Sequence, residues 1–133
     1  MDAAIKTSIQ NTSFIGGNPV REFETAFAGF IGLKHVIGCG NGTDSIEILL
    51  QAYGIGKGHE VIVPAASWIS TSEAVSARGA THVFVDVEED SFNINPALFE
   101  AAITGNTKAI IPVNLDGHPA DMPAIMAIAK KYN

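Results

Sequence analysis

The sequence predicts an α/β fold, a three-layer α/β/α arrangement around a mostly parallel sheet, and three observations carry that prediction. Four short runs rich in β-branched residues recur: Val36-Ile37-Gly38-Cys39, Val61-Ile62-Val63, Val83-Phe84-Val85 and Ala109-Ile110-Ile111-Pro112-Val113. Their first residues lie 25, 22 and 26 positions apart, which leaves room for a helical crossover between successive parallel strands. The segments between them carry helical periodicity. Apolar strands alternating with amphipathic helices indicate βαβ units and a sheet covered on both faces.

Each helix has its own signature. Asn18-Pro19 reads as an N-cap followed by a first-turn proline, with Val20, Phe23, Phe27 and Phe30 on one face. Ile46, Leu49, Leu50 and Tyr53 follow the i, i+3, i+4, i+7 pattern, and the glycine-rich stretch Gly54-Ile55-Gly56-Lys57-Gly58 ends that helix. Ser70-Thr71-Ser72-Glu73 fits a capping box. Asn95-Pro96 repeats the cap-and-proline signal ahead of Leu98, Phe99 and Ala102. Asp121 reads as the N-cap of a last helix bearing Met122, Ile125, Met126 and Ala129. There is no internal repeat, low-complexity tract or linker, so a single domain is expected.

The composition narrows the function. The chain has 133 residues, 47% of them apolar and 17% charged, with a net charge of −6. Such a chain holds a real core, and its negative charge disfavours nucleic-acid backbones. Lys130-Lys131 is the one basic pair. A single cysteine, Cys39, excludes an intrachain disulfide and a cysteine-based metal site, and a buried, unreactive role is expected for it. Residues 1–14 lack the apolar core of a signal peptide and no long apolar run spans a membrane, so a cytoplasmic location is expected. The last residues, Ile128 to Asn133, read as a crossover helix about to enter another strand. The chain is therefore expected to be a truncated front part, the alternative being a naturally short protein with a frayed last helix.

Gly38-Cys39-Gly40-Asn41-Gly42-Thr43 is the most specific local motif. Glycines at a strand-to-helix turn let backbone N–H groups approach an anion, and the helix N-terminus adds positive potential. A phosphate suits that place; a tight turn with Thr43 as N-cap is the alternative. The motif is not a dinucleotide fingerprint, because Thr43 stands at the third glycine position. It is not a P-loop either, because Gln51 stands where the glycine preceding Gly56-Lys57 belongs. Trp68, the only tryptophan, follows the second strand, at the end where open α/β sheets bind ligands. Its indole either stacks on a planar ring or packs into the core. Asp116 and His118 follow the fourth run and either face the same crevice or belong to a polar loop. His35, His59 and His82 show no metal spacing, Asp86 to Asp90 read as a solvated acidic turn, and no G-x-S-x-G nucleophile elbow is present.

Several further motifs stand in register. They are Asn41-Gly42-Thr43-Asp44, Gly54 to Pro64, Gly79-Ala80 with Val83 to Val87, Ala101 to Thr104 with Thr107 to Val113, and Gly117-His118-Pro119-Ala120-Asp121-Met122. Their order and spacing, from about Phe14 to the end, resembles the DegT/DnrJ/StrS family of sugar aminotransferases. The resemblance implies the N-terminal portion of the large domain of the aspartate-aminotransferase fold, with pyridoxal 5'-phosphate (PLP) as cofactor. Residues 1–133 would be the first part of that PLP-binding domain, with the rest of it and a small C-terminal domain absent. By the same resemblance Gly42 and Thr43 hold the cofactor phosphate and Trp68 stacks on the pyridine ring. Asp116 and His118 depart from the family's pattern, which leaves substrate contacts there open.

The resemblance also implies an amino-acid donor, glutamate or glutamine, a keto-sugar nucleotide as acceptor, and a homodimer when the chain is full length. The family needs an aspartate beside the pyridinium nitrogen and a lysine that serves as Schiff base, acid and base. Neither is identified in this sequence: Lys34, Lys57, Lys108, Lys130 and Lys131 belong to turns, a strand start or the terminal helix. No catalytic residue is therefore assigned and the chain alone is expected not to turn over. A sugar dehydratase of the same fold, with histidine in place of the lysine, and a non-catalytic truncated module that dimerises with or interferes with a full-length partner are the alternatives. Strands awaiting further strands would leave apolar surface exposed, so the isolated chain is expected to be marginally folded.

Overall fold

The computed structural model describes Met1 to Tyr132, in two compact units, the second beginning at Asn41 immediately after Gly40. The first unit holds α1, Asp2–Gln10, and α2, Asn18–Ile31. Gly17, extended at φ −78° and ψ −172°, is the cap of α2, so the helix starts one residue before the expected place. Asn18 is inside the helix, and its Oδ1 accepts from Arg21 Nη2 at 3.0 Å instead of capping. Gly32 ends α2 in the left-handed conformation, φ +70°, a termination that glycine permits without steric cost. Phe23, Phe27 and Phe30 stack in a row along α2, with ring centroids 5.6 and 6.1 Å apart.

The first β-branched run departs from expectation: Val36 to Cys39 forms no strand. Strand propensity becomes a strand only when a neighbour completes the ladder, and no ladder among the described residues reaches this segment. Cys39 is accordingly exposed rather than buried.

The second unit carries the sheet. Its strands are β1, Glu60–Pro64, β2, Thr81–Val85, and β3, Thr107–Ile110, all parallel, in the order β2-β1-β3. Pro64 offers no N–H, which suits the end of β1. The helices are α3, Gly42–Ala52, α4, Ser70–Ala77, α5, Pro96–Ala101, and α6, Met122–Tyr132.

Period-two alternation along β1 sends its side chains to opposite faces. Val61 and Val63 pack with Leu50 of α3 and Val75 of α4, whereas Ile62 packs with Phe99 of α5 and Ile125 of α6. Val61, Ile62 and Val63 are all fully buried. This is the three-layer α/β/α architecture that the alternation of runs and helices predicts. Asn95 caps α5 by accepting from Leu98 N–H, and Asp121 accepts from Ala124 N–H at the start of α6, both at 3.0 Å and both as expected.

The Ser70–Glu73 capping box does not form. Ile69 is the cap residue and Ser70 is already helical, with its hydroxyl turned to a different use. At the far ends of α5 and α6, Lys131 Nζ lies 2.7 Å from Glu100 Oε1. The hydrogen-bonded ammonium holds the Glu100 carboxyl below its ordinary range. The pair therefore stabilises above the ordinary carboxylate range, and this is lost as pH falls through the lowered pKa. Solvent exposure of both groups keeps the contribution small.

Candidate functional site

In open parallel sheets the ligand crevice lies outside the carboxyl ends of the strands, where adjacent crossovers leave on opposite faces. β1 and β3 are such a pair here. The helix after β1, α4, joins the core on one face, and the helix after β3, α6, joins the core on the other. α3 feeds β1 through residues 53–59, and a hydrogen bond between Thr43 and Ser70 sets its first turn beside that of α4, the helix that follows the carboxyl end of β1. α4 begins six residues after Pro64 and brings a second helix N-terminus to that end.

Gly42 and Thr43 are the first two residues of α3. The cap is Asn41, whose Oδ1 accepts from Asp44 N–H at 3.0 Å, and its carbonyl accepts from Ser45 N–H at 3.2 Å. Thr43 is therefore not the cap, and the Gly42 and Thr43 N–H groups are two of the four that a helix start leaves without an intrahelical acceptor. A Cβ placed on Gly42 meets no protein atom within 4 Å, so packing does not demand glycine there. Two N–H groups at a positive helix end, beside open space a side chain would fill, suit an anion.

Thr43 Oγ1 donates to Ser70 Oγ at 2.8 Å, and this bond joins the first turns of α3 and α4. Two residues before Ser70, Trp68 is 78% exposed, so its indole lies outside both core clusters of the described residues. Its loop is held firmly. Trp68 C=O accepts from Thr71 N–H at 3.1 Å, and the Ser67 and Thr71 hydroxyls lie 2.8 Å apart, with Thr71 buried. Gly42, Thr43 and Trp68 are thus gathered at one end of the sheet through α4.

Asp116 and His118 lie elsewhere along that rim. The 3-10 turn Leu115–Gly117 is pinned by buried Asn93, which accepts from Leu115 N–H and donates through Nδ2 to His118 C=O. The exposed Asp116 and His118 side chains line a shallow recess of about 360 Å³ together with Asp90, Ser91 and Phe92. The remaining histidines of this unit serve turns and strand edges: His59 Nδ1 accepts from Gly56 N–H, and His82 Nδ1 pairs with Ser76 Oγ.

Sequence reasoning missed Ser70, Ser67, Thr71 and Asn93. A signal for the first three exists in the run Ser67-Trp68-Ile69-Ser70-Thr71-Ser72, whose four hydroxyls exceed what capping one helix requires. Nothing in the sequence marks Asn93.

Comparison with known proteins places these elements in context. The family model described as the DegT/DnrJ/EryC1/StrS aminotransferase family matches residues 1–133. The UDP-2-acetamido-2-deoxy-3-oxo-D-glucuronate aminotransferase of Pseudomonas aeruginosa is 46% identical over 132 residues. That match covers 99% of this chain and 37% of the relative, so the chain spans about a third of its length. A DegT DnrJ EryC1 StrS aminotransferase from Brucella abortus superposes with a TM-score of 0.93 at 43% identity, over 98% of this chain and 37% of the other. NtdA from Bacillus subtilis, solved with bound cofactor PMP, superposes with a TM-score of 0.90 at 39% identity, over 95% of this chain and 29% of the other.

Proposed function

The chain belongs to the DegT/DnrJ/EryC1/StrS aminotransferase family, and from that premise we propose that residues 1–133 are the first part of the PLP-binding large domain of a sugar aminotransferase. The complete protein moves an amino group from glutamate or glutamine to a keto-sugar nucleotide, as a cytoplasmic homodimer. The observation that carries the cofactor assignment is the joining of two helix N-termini by the Thr43–Ser70 hydrogen bond, with the exposed Trp68 indole two residues away.

When bound, PLP supplies the electron-withdrawing ring that makes the donor's Cα proton removable. This chain's part is to hold that ring. Gly42 and Thr43 N–H groups and the Thr43 hydroxyl receive the phosphate at the positive end of α3. Trp68 offers an aromatic face for the pyridine ring. The lysines of the second unit stand at the opposite end of the sheet. Lys57 precedes β1, Lys108 is the second residue of β3, and Lys130 and Lys131 end α6. We therefore place the lysine that would bond the cofactor and move the proton outside the second unit.

Trp68 makes the reading testable, because it is the only tryptophan. Titrating the 133-residue chain with PLP quenches its tryptophan emission to saturation, and pyridoxal, which lacks the phosphate, requires about tenfold higher concentration. Emission unchanged by PLP would remove Trp68 from the site. Equal response to PLP and pyridoxal would remove the phosphate cradle.

A further inference from the structure

Four hydroxyls on the helices bond back within their own helix. Thr7 donates to Ala3 C=O, Thr25 to Arg21 C=O, Ser45 to Asn41 C=O and Ser76 to Ser72 C=O, each four residues back. Thr43 does otherwise: it reaches across to Ser70, 27 residues on. We propose that Ser70 is a positioning residue whose hydroxyl fixes the Thr43 hydroxyl for the cofactor phosphate. This rests on the assignment of Gly42 and Thr43 as the phosphate site and deepens it.

Two hydroxyls own two protons, and one hydrogen bond between them uses one. The pair therefore always has one O–H to give, and a phosphate oxygen beside α3 is the acceptor that claims it. With the anion present, Thr43 donates to the phosphate and Ser70 donates to Thr43 Oγ1. Thr43 then stays in a single rotamer, and it is polarised by a donor at its back. Ser70 suits the task because it is half-buried and sits in the first helical turn of α4, so its own position is set by the backbone. The capping-box pattern at Ser70–Glu73 goes unused because Ile69 is the cap residue and Ser70 is already helical.

The experiment uses the complete protein containing this chain, and compares its affinity for PLP and for pyridoxal in four variants. Ser70→Ala is expected to lose about tenfold in PLP affinity, with pyridoxal affinity unchanged. Ser70→Thr, which keeps the hydroxyl, restores PLP affinity. Thr43→Val loses at least as much as Ser70→Ala, and adding Ser70→Ala to Thr43→Val costs nothing more, because the two act as one unit. Additive losses would overturn the proposal by making Ser70 an independent ligand. An equal loss for pyridoxal and PLP would overturn it by making Ser70 merely structural. If Ser70→Ala binds PLP normally while Thr43→Val does not, the positioning role falls and the phosphate site stands. If neither variant changes PLP affinity, the phosphate site itself falls.

Discussion

Gly42→Val in the complete protein is expected to lower PLP affinity by about 100-fold, roughly 3 kcal/mol, while leaving the fold as stable as before. The two halves of that expectation come from one geometric fact. A Cβ on Gly42 meets no atom of the described residues within 4 Å, so this part of the protein leaves room for the side chain. The same space is where a phosphate must come close to the Gly42 and Thr43 N–H groups, and the valine methyls would occupy it. Gly56 makes the contrast, since a Cβ there comes to 3.1 Å from the Arg78 carbonyl oxygen. A change at that position strains the protein itself. Equilibrium dialysis against PLP and a thermal melt without cofactor check both halves. Unchanged PLP affinity in Gly42→Val would sink the assignment.

Ile62→Ala is expected to cost about 2–5 kcal/mol of stability, a large share of what a small domain possesses. Ile62 is the middle residue of the central strand, paired with Val83 on one side and Ile110 on the other. It is fully buried with Phe99 and Ile125, and the helices over it are too rigidly packed to collapse into the space left. Leu49→Ala serves as the control, because Leu49 is 56% exposed on α3 and alanine is the better helix former. Urea unfolding of both variants in the complete protein checks this. Equal effects at the two positions would contradict the three-layer core.

Much of this core was legible because it follows from periodicity. A run such as Val61-Ile62-Val63 admits a strand buried on both faces, and the structure puts its side chains alternately against the two helical layers. The Asn95 and Asp121 caps were legible because a cap is a local hydrogen bond. What failed depends on distant partners. Val36 to Cys39 has strand propensity but no ladder among the described residues, and propensity cannot supply one. Ser70 and Glu73 have capping-box spacing, but a pattern four residues long carries no sign of Thr43. Trp68 taken by itself reads more readily as core, the family resemblance turns it to the crevice, and it is 78% exposed. Gly42 and Thr43 were found as a turn that suits an anion; that Asn41, and not Thr43, caps α3 emerged only from the geometry.

A crystal structure of the complete protein with PLP bound decides whether the first turn of α3 holds the cofactor phosphate. Phosphate oxygens are expected at hydrogen-bond distance, about 2.7–3.2 Å, from the Gly42 and Thr43 N–H groups and Thr43 Oγ1, with the pyridine ring lying against the Trp68 indole. A phosphate seated on other residues, with the first turn of α3 facing only water, would contradict that expectation.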